Sequence, residues 1–190
     1  MRKIYLLIIL MVSSSLFGQI KEEYKNAKLL KGTYTQIVTQ RGKSFESSGE
    51  FLIANGYGIC WFTKEPKESI TVMGDKNVTQ ILPNGTKKIM ADSSNAMFSQ
   101  IANIIKSIFT YDEKTIKESF SQSIENNIIV YTPKTDELKK IMSKIEVSFA
   151  KEGYIEKIKI YSKNSSTTEY IMKVLSKSDT LTSEEIKYFE

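Results

Sequence analysis

Histidine is absent from all 190 residues, and cysteine and tryptophan occur once each. Without histidine there is no Ser-His-Asp or Cys-His relay, and zinc sites built from His and Cys clusters are excluded with it. Cys60 has no histidine to hold it as thiolate, so a nucleophilic role lacks its base. Between Ile59 and Trp61 on a strand, it reads instead as a small apolar filler. A single cysteine also rules out an internal disulfide, so stability has to come from a packed core. No Asp-x-Asp-x-Asp-Gly loop is present for calcium, and no Gly-x-x-x-x-Gly-Lys-Ser loop for a nucleotide. Asp75, Asp92, Asp112 and Asp136 each stand alone in turn or capping contexts. A paired-carboxylate glycosidase draws its acid and base from positions that spacing does not reveal, and that design alone stays open. No enzymatic activity, cofactor or metal is expected.

Long apolar runs are missing too, except at the start. Met1-Arg2-Lys3 is a basic opening, Ile4 to Val12 reads "IYLLIILMV", and Ser13, Ser14, Ser15 and Gly18 are small. That run falls short of the roughly 20 residues a spanning helix needs, so the pattern predicts a cleaved secretory signal over residues 1–18. The mature chain, one domain over 19–190, would begin at Gln19. A lipid-anchored protein would need cysteine just after the small residues; with Gln19 there, a soluble, unanchored protein is expected. Loss of Arg2 and Lys3 leaves 25 basic against 22 acidic residues, a net charge of +3. Lysines alternate with glutamates as on a solvated surface, which does not support nucleic-acid binding. The remaining 172 residues are enough for one domain that buries about 70% of its unfolded surface.

What is present is mostly a period-two pattern. Residues 20–30, "IKEEYKNAKLL", suit a short amphipathic helix with Ile20, Tyr24, Ala27 and either Lys28 or Leu30 near one stripe. In "GTYTQIVTQ", Tyr34, Gln36 and Val38 share a face, and in "FESSGEFLIA" Phe45, Ser47, Gly49, Phe51 and Ile53 share the next. Asn55-Gly56 predicts a tight turn, followed by a strand with Tyr57, Ile59, Trp61 and Thr63 on one side. Short strands are expected over 69–73, 78–82 and 86–90, then over 121–126, 128–132, 143–150, 154–162 and 167–175, with "TDELKKIM" at 135–142 as an extra helical segment. Between the two sets, after the N-cap candidates Asp92 to Asn95, comes "AMFSQIANIIKSIFTYDEKTIKESF" without glycine or proline. Met97, Ile101, Ile104, Ile105 and Ile108 form its stripe, and Phe98, Ala102 and Phe109 widen it beyond what a surface helix needs. This helix is either ordinary core or a plug or lid wrapped by the sheet. Trp61 is likewise either core or cavity wall.

Three stretches carry a resemblance. Tyr34-Thr35-Gln36 matches an aromatic-x-Gln signature on a first strand, "ANGYGICW" occupies a hairpin turn and the strand up to its Trp, and "KEPKESITVMGDK" continues as x-x-Pro-x-x-x-x-apolar-x-apolar into a Gly/Asp turn. In these features the chain resembles the LolA-like periplasmic lipoprotein carriers. The likeness runs without a gap from Tyr34 to Lys76 and less specifically to Phe120; beyond that only strand rhythm supports it. It implies an α+β, mainly antiparallel fold: an incomplete, strongly curved β-barrel whose mouth is covered by a helical lid, with a hollow for acyl chains. Applied to this sequence, it implies a cavity lined by Tyr34, Phe51, Ile53, Trp61, Ile70, Val72, Met97, Ile101 and Ile105.

The implied function is a periplasmic carrier of acylated lipid or lipoprotein. Its partners would be acyl chains, an inner-membrane donor and an outer-membrane acceptor, and the protein is expected as a monomer. Two other readings share the pattern: a periplasmic module that senses lipid or envelope stress or binds protein, and a plain structural β domain. One departure stands out. The lipoprotein-shuttling members carry an arginine and a proline at the hairpin turn, where the arginine is held to fasten the lid, and this chain has Asn55 and Gly56. In that respect "GYGICW" is more similar to the members that accompany aryl polyene or flexirubin-type pigment clusters.

Overall fold

A computed structural model describes residues 21–74, 77–91 and 96–190, with side chains at 91–101 not described. The expected signal at 1–18 and the capping candidates Asp92 to Asn95 lie outside the described residues. A one-turn helix α1 (Glu22–Lys25) leads into strands β1 (Leu29–Gln40), β2 (Lys43–Ala54), β3 (Gly58–Glu65), β4 (Ser69–Met73), β5 (Val78–Ile81) and β6 (Lys87–Ala91). Helices α2 (Ala96–Phe109) and α3 (Glu113–Ser119) follow. Then come β7 (Phe120–Glu125), β8 (Ile128–Pro133), helix α4 (Asp136–Ile141), β9 (Met142–Phe149), β10 (Ile155–Ser162), β11 (Thr167–Ser178) and a terminal helix α5 (Ser183–Ile186). The strands form one sheet in the order β6-β5-β4-β3-β2-β1-β11-β10-β9-β8-β7. Two antiparallel meanders are thus joined through the long β1–β11 pair, and the sheet stays open between β6 and β7.

Two of the sheet's bulges fall at glycines. The β1–β11 register slips between Lys31 and Gly32, and the β2–β3 register slips between Ser48 and Gly49. A bulge bends its strand and raises the local twist. Only glycine fits these bends: a Cβ at Gly32 would lie 2.0 Å from the Lys173 carbonyl oxygen, and one at Gly49 would lie 2.0 Å from that of Phe62. Gly56, at φ +86°, closes the β2–β3 turn, and β3 ends at Glu65, just before Pro66.

Two expectations about helices are corrected. Of the expected helix at 20–30, residues 21–30 form only the single turn of α1, because Leu29 and Leu30 already pair with β11 and β2 as the start of β1. The unbroken helical run after Asn95 is two helices. Tyr111 adopts φ +58°, and Asp112 caps α3 by accepting a hydrogen bond from Thr115 N at 3.2 Å.

The sheet has apolar residues on both faces. Its concave side holds the main core, where Phe51, Ile59, Ile145, Ile158 and Val147 meet Ile104, Ile108 and Phe109 of α2. The outer side of β2–β4 carries Leu52, Ala54, Cys60 and Val72, packed with Phe62, Ile70, Leu181 and Phe189. An outer face this apolar is kept from water by the C-terminal segment, which crosses it. Thr182 and Glu185 form a capping box on α5, Lys31 Nζ pairs with Glu185 at 2.5 Å, and Tyr188 stands edge-on to Phe62 at 5.1 Å.

Candidate functional site

Register decides which side chains enter the hollow. Trp61 lies opposite Phe51 on β2 and Thr71 on β4, so these three share the concave face; Tyr34 lies opposite Gly49 and Met172. Beneath α2 this face encloses a cavity of about 240 Å³. Tyr34 and Gln36 of β1, Trp61 and Thr63 of β3, Thr71 and Met73 of β4, Val78, Tyr170 of β11, and Ala102 and Ile105 of α2 line it. A larger cleft of about 1130 Å³ runs between Ser48–Glu50 and the β9–β10 turn, but Lys64, Glu65, Lys151, Glu152 and Lys173 make it charged with both signs. The smaller cavity is the candidate site because aromatic and apolar surface converges there with a few placed polar groups.

Trp61 is its centre. Its ring stacks on Tyr170 at 5.2 Å, meets Tyr34 edge-on at 4.7 Å and Phe109 at 5.3 Å, and its Nε1 donates to Met73 Sδ at 3.4 Å. Polar contacts form one flank. Tyr34 Oη and Thr63 Oγ1 are 2.7 Å apart, Gln36 Nε2 donates to Tyr170 Oη at 2.8 Å, and Ser47 Oγ donates to Gln36 Oε1 at 3.2 Å. Burial pushes the Tyr170 hydroxyl up to about 12 and raises that of Tyr34, so the surroundings oppose charge.

Of the residues expected at the site, Tyr34, Trp61 and Ile105 line the cavity. Phe51 and Ile53 share its face and its core but stand beside it. Ile70 and Val72 lie on the opposite face, and the expectation for them is corrected: they pair with Phe62 and Cys60, while their neighbours Thr71 and Met73 point inward. One residue of slip exchanges the faces of a strand. Met97 and Ile101 belong to α2, but their side chains lie outside the described residues. Gln36 and Thr63 were missed although the period-two pattern already set them on the faces of Tyr34 and Trp61, and Met73 was missed because the other face of its strand was chosen. Tyr170 carries no such signal, since only the β1–β11 pairing brings it opposite Gln36.

Cys60 is fully buried on the outer side, and desolvation pushes its thiol up to about 12. The Asn55 turn is held by backbone bonds, Asn55 N to Lys28 O at 2.9 Å and Tyr57 N to Ala54 O at 3.0 Å. It faces Lys106, Thr110, Tyr111 and Asp112, at the end of α2, across a cleft of about 420 Å³. Among the described residues no three His, Cys, Asp or Glu side chains gather as a metal site.

A curved, open antiparallel sheet holding a helix over an aromatic-lined hollow is the architecture of the lipoprotein-carrier class. The chain belongs to the LolA family: the family model described as outer membrane lipoprotein carrier protein LolA matches residues 25–188. No curated protein matches it. Among solved structures it is similar to a DUF1329 family protein from Desulfovibrio piger, at 11% identity and TM-score 0.50, covering 86% of this chain and 92% of that one. It is also similar to a putative outer membrane lipoprotein-sorting protein domain from Vibrio parahaemolyticus, at 11% identity and TM-score 0.47, covering 90% and 92%. A LolA superfamily protein from Nitrosomonas europaea matches at 9% identity and TM-score 0.43, covering 89% and 94%. Likenesses at such identities concern the fold alone.

Proposed function

We propose that the protein is a periplasmic carrier that takes an acylated lipid or lipoprotein from an inner-membrane donor and passes it to an acceptor at the outer membrane, without chemistry of its own. Residues 1–18 direct secretion in this reading, and 19–190 are the working domain. The cavity around Trp61 carries the proposal. An acyl chain leaving water for apolar walls gains about 0.8 kcal/mol per CH₂, enough to hold cargo and not so much that a membrane acceptor cannot recover it. At about 240 Å³ the cavity is smaller than the roughly 300–1,000 Å³ of ordinary ligand pockets. In this reading loading enlarges the cavity by moving α2 outward. The Asn55-Gly56 turn offers no guanidinium to hold α2 down, which supports an easily opened lid and cargo other than the lipoproteins of the arginine-bearing members.

Native mass spectrometry of protein taken from its own envelope tests this. The expected result is a chain beginning near Gln19 with an acylated species bound. Protein that is repeatedly lipid-free, or that retains Met1 in the inner membrane, contradicts it.

A further inference from the structure

The polar flank of the cavity holds O–H and N–H donors that meet no acceptor among the described residues. A tyrosine or threonine hydroxyl brings one O–H, and a glutamine amide brings two N–H. Tyr34 and Thr63 share one hydrogen bond between two hydroxyls, so among the described residues one of the two O–H groups is left over. Tyr170 accepts from Gln36, and among the described residues its own O–H meets no acceptor; the second Gln36 N–H is left over likewise. The Gln36 carbonyl oxygen already accepts from Ser47. These groups lie within one cavity wall, beside the Trp61 ring. What these donors call for is an acceptor on the ligand, because a buried N–H or O–H left unpaired is costly.

Resting on the acyl-carrier reading above, we propose that Gln36, Tyr170, Tyr34 and Thr63 receive the carbonyl oxygen of an uncharged acyl ester or amide. The protein thereby selects acyl chains still linked to a neutral group over free fatty acids and bare hydrocarbons. A carboxylate also accepts hydrogen bonds, but none of the described lining residues is cationic, and a buried unpaired charge is costly. Burial has already pushed the Tyr170 hydroxyl up to about 12, the same opposition to negative charge acting on the protein's own group. A hydrocarbon has the opposite fault: on entering, it displaces water from the donors and leaves them unpaired.

Three probes of one chain length separate these outcomes: methyl laurate, dodecyl methyl ether, and laurate at pH 8, each titrated into delipidated full-length mature protein by Trp61 fluorescence. The ester is expected to bind about tenfold more tightly than the ether, the gain of one or two neutral hydrogen bonds, and more tightly than laurate. In Gln36→Leu/Tyr170→Phe the ratio of ester to ether affinity should fall to within about twofold. The single variant Tyr170→Phe keeps the stacked ring and should lose part of the gap, which covers the case of a double variant that does not fold. Equal binding of ester and ether by the unaltered protein, tighter binding of laurate, or a gap that survives Tyr170→Phe and the double variant overturns the inference while leaving the carrier reading intact. Failure of all three probes to bind overturns the carrier reading and the inference together.

Discussion

Trp61 and Cys60 are neighbours on β3, and Tyr170 of β11 stacks on Trp61, yet the three buried side chains serve opposite faces. Trp61 and Tyr170 line the cavity, while Cys60 fills the outer layer under the C-terminal segment. Burial raises the Cys60 thiol from 9.0 to about 12, and the Tyr111 and Tyr170 hydroxyls from 10.0 to about 12. A group whose folded pKa is raised contributes stability that is complete below its unfolded pKa and is lost as pH climbs through the folded one. The protein should therefore lose stability from about pH 9 upward, by up to about 1.4 kcal/mol per pH unit for each group that only the unfolded chain has ionised. Urea midpoints taken between pH 7 and 11 check this. Cys60→Ala should remove the part that begins at pH 9, and iodoacetamide should leave Cys60 unmodified in the native protein at pH 8. A flat profile, or rapid native alkylation, would show an accessible thiol.

The elements that shape the hollow are β1, β2 and β3, bent at Gly32 and Gly49. Gly49→Ala drives a Cβ to 2.0 Å from the Phe62 carbonyl oxygen, a backbone atom that cannot swing aside. The substitution should cost about 1–3 kcal/mol or more in denaturant unfolding; an unchanged midpoint would mean that the sheet is not pinched there. Most of the sheet was legible because a half-buried antiparallel strand alternates visibly. The run from Tyr34 to Val38, the Asn55-Gly56 turn and the 69–73 strand all stand where that alternation puts them. The break at Tyr111 was not legible, since nothing in "SIFTYDEK" except the Asp112 cap interrupts a helical pattern, and a non-glycine residue at positive φ has no sequence mark of its own. Ile70 and Val72 were misplaced because β4 turns its more apolar side outward, under the C-terminal segment, and sends Ser69, Thr71 and Met73 inward. The C-terminal crossing escaped notice for a related reason. Leu181, Tyr188 and Phe189 are spaced too irregularly to read as an amphipathic element, and they make sense only against the apolar outer face they cover.

The molecule as a whole is two meanders hinged on β1–β11, with α2 and α3 inserted where the barrel would otherwise close. The concave side of the sheet carries the main core together with α2, and the edge strands β6 and β7 lie at opposite ends of the strand order. Apolar cover on the outer face, supplied by the chain's own end, gives the sheet a second layer that does not depend on cargo. Family membership makes a lipoprotein-carrier fold the frame, and the central claim is that an acyl chain comes to lie against Trp61. Because Trp61 is the only tryptophan, its emission reports on that cavity alone. The direct measurement is quenching of this emission in delipidated protein by a lipid brominated along its acyl chain, compared with the same lipid unbrominated. The predicted result is saturable quenching by the brominated lipid and a blue shift with the unbrominated one. Emission unchanged by either lipid, at concentrations where the protein remains folded, would contradict an acyl-binding cavity and return α2 to the role of ordinary core.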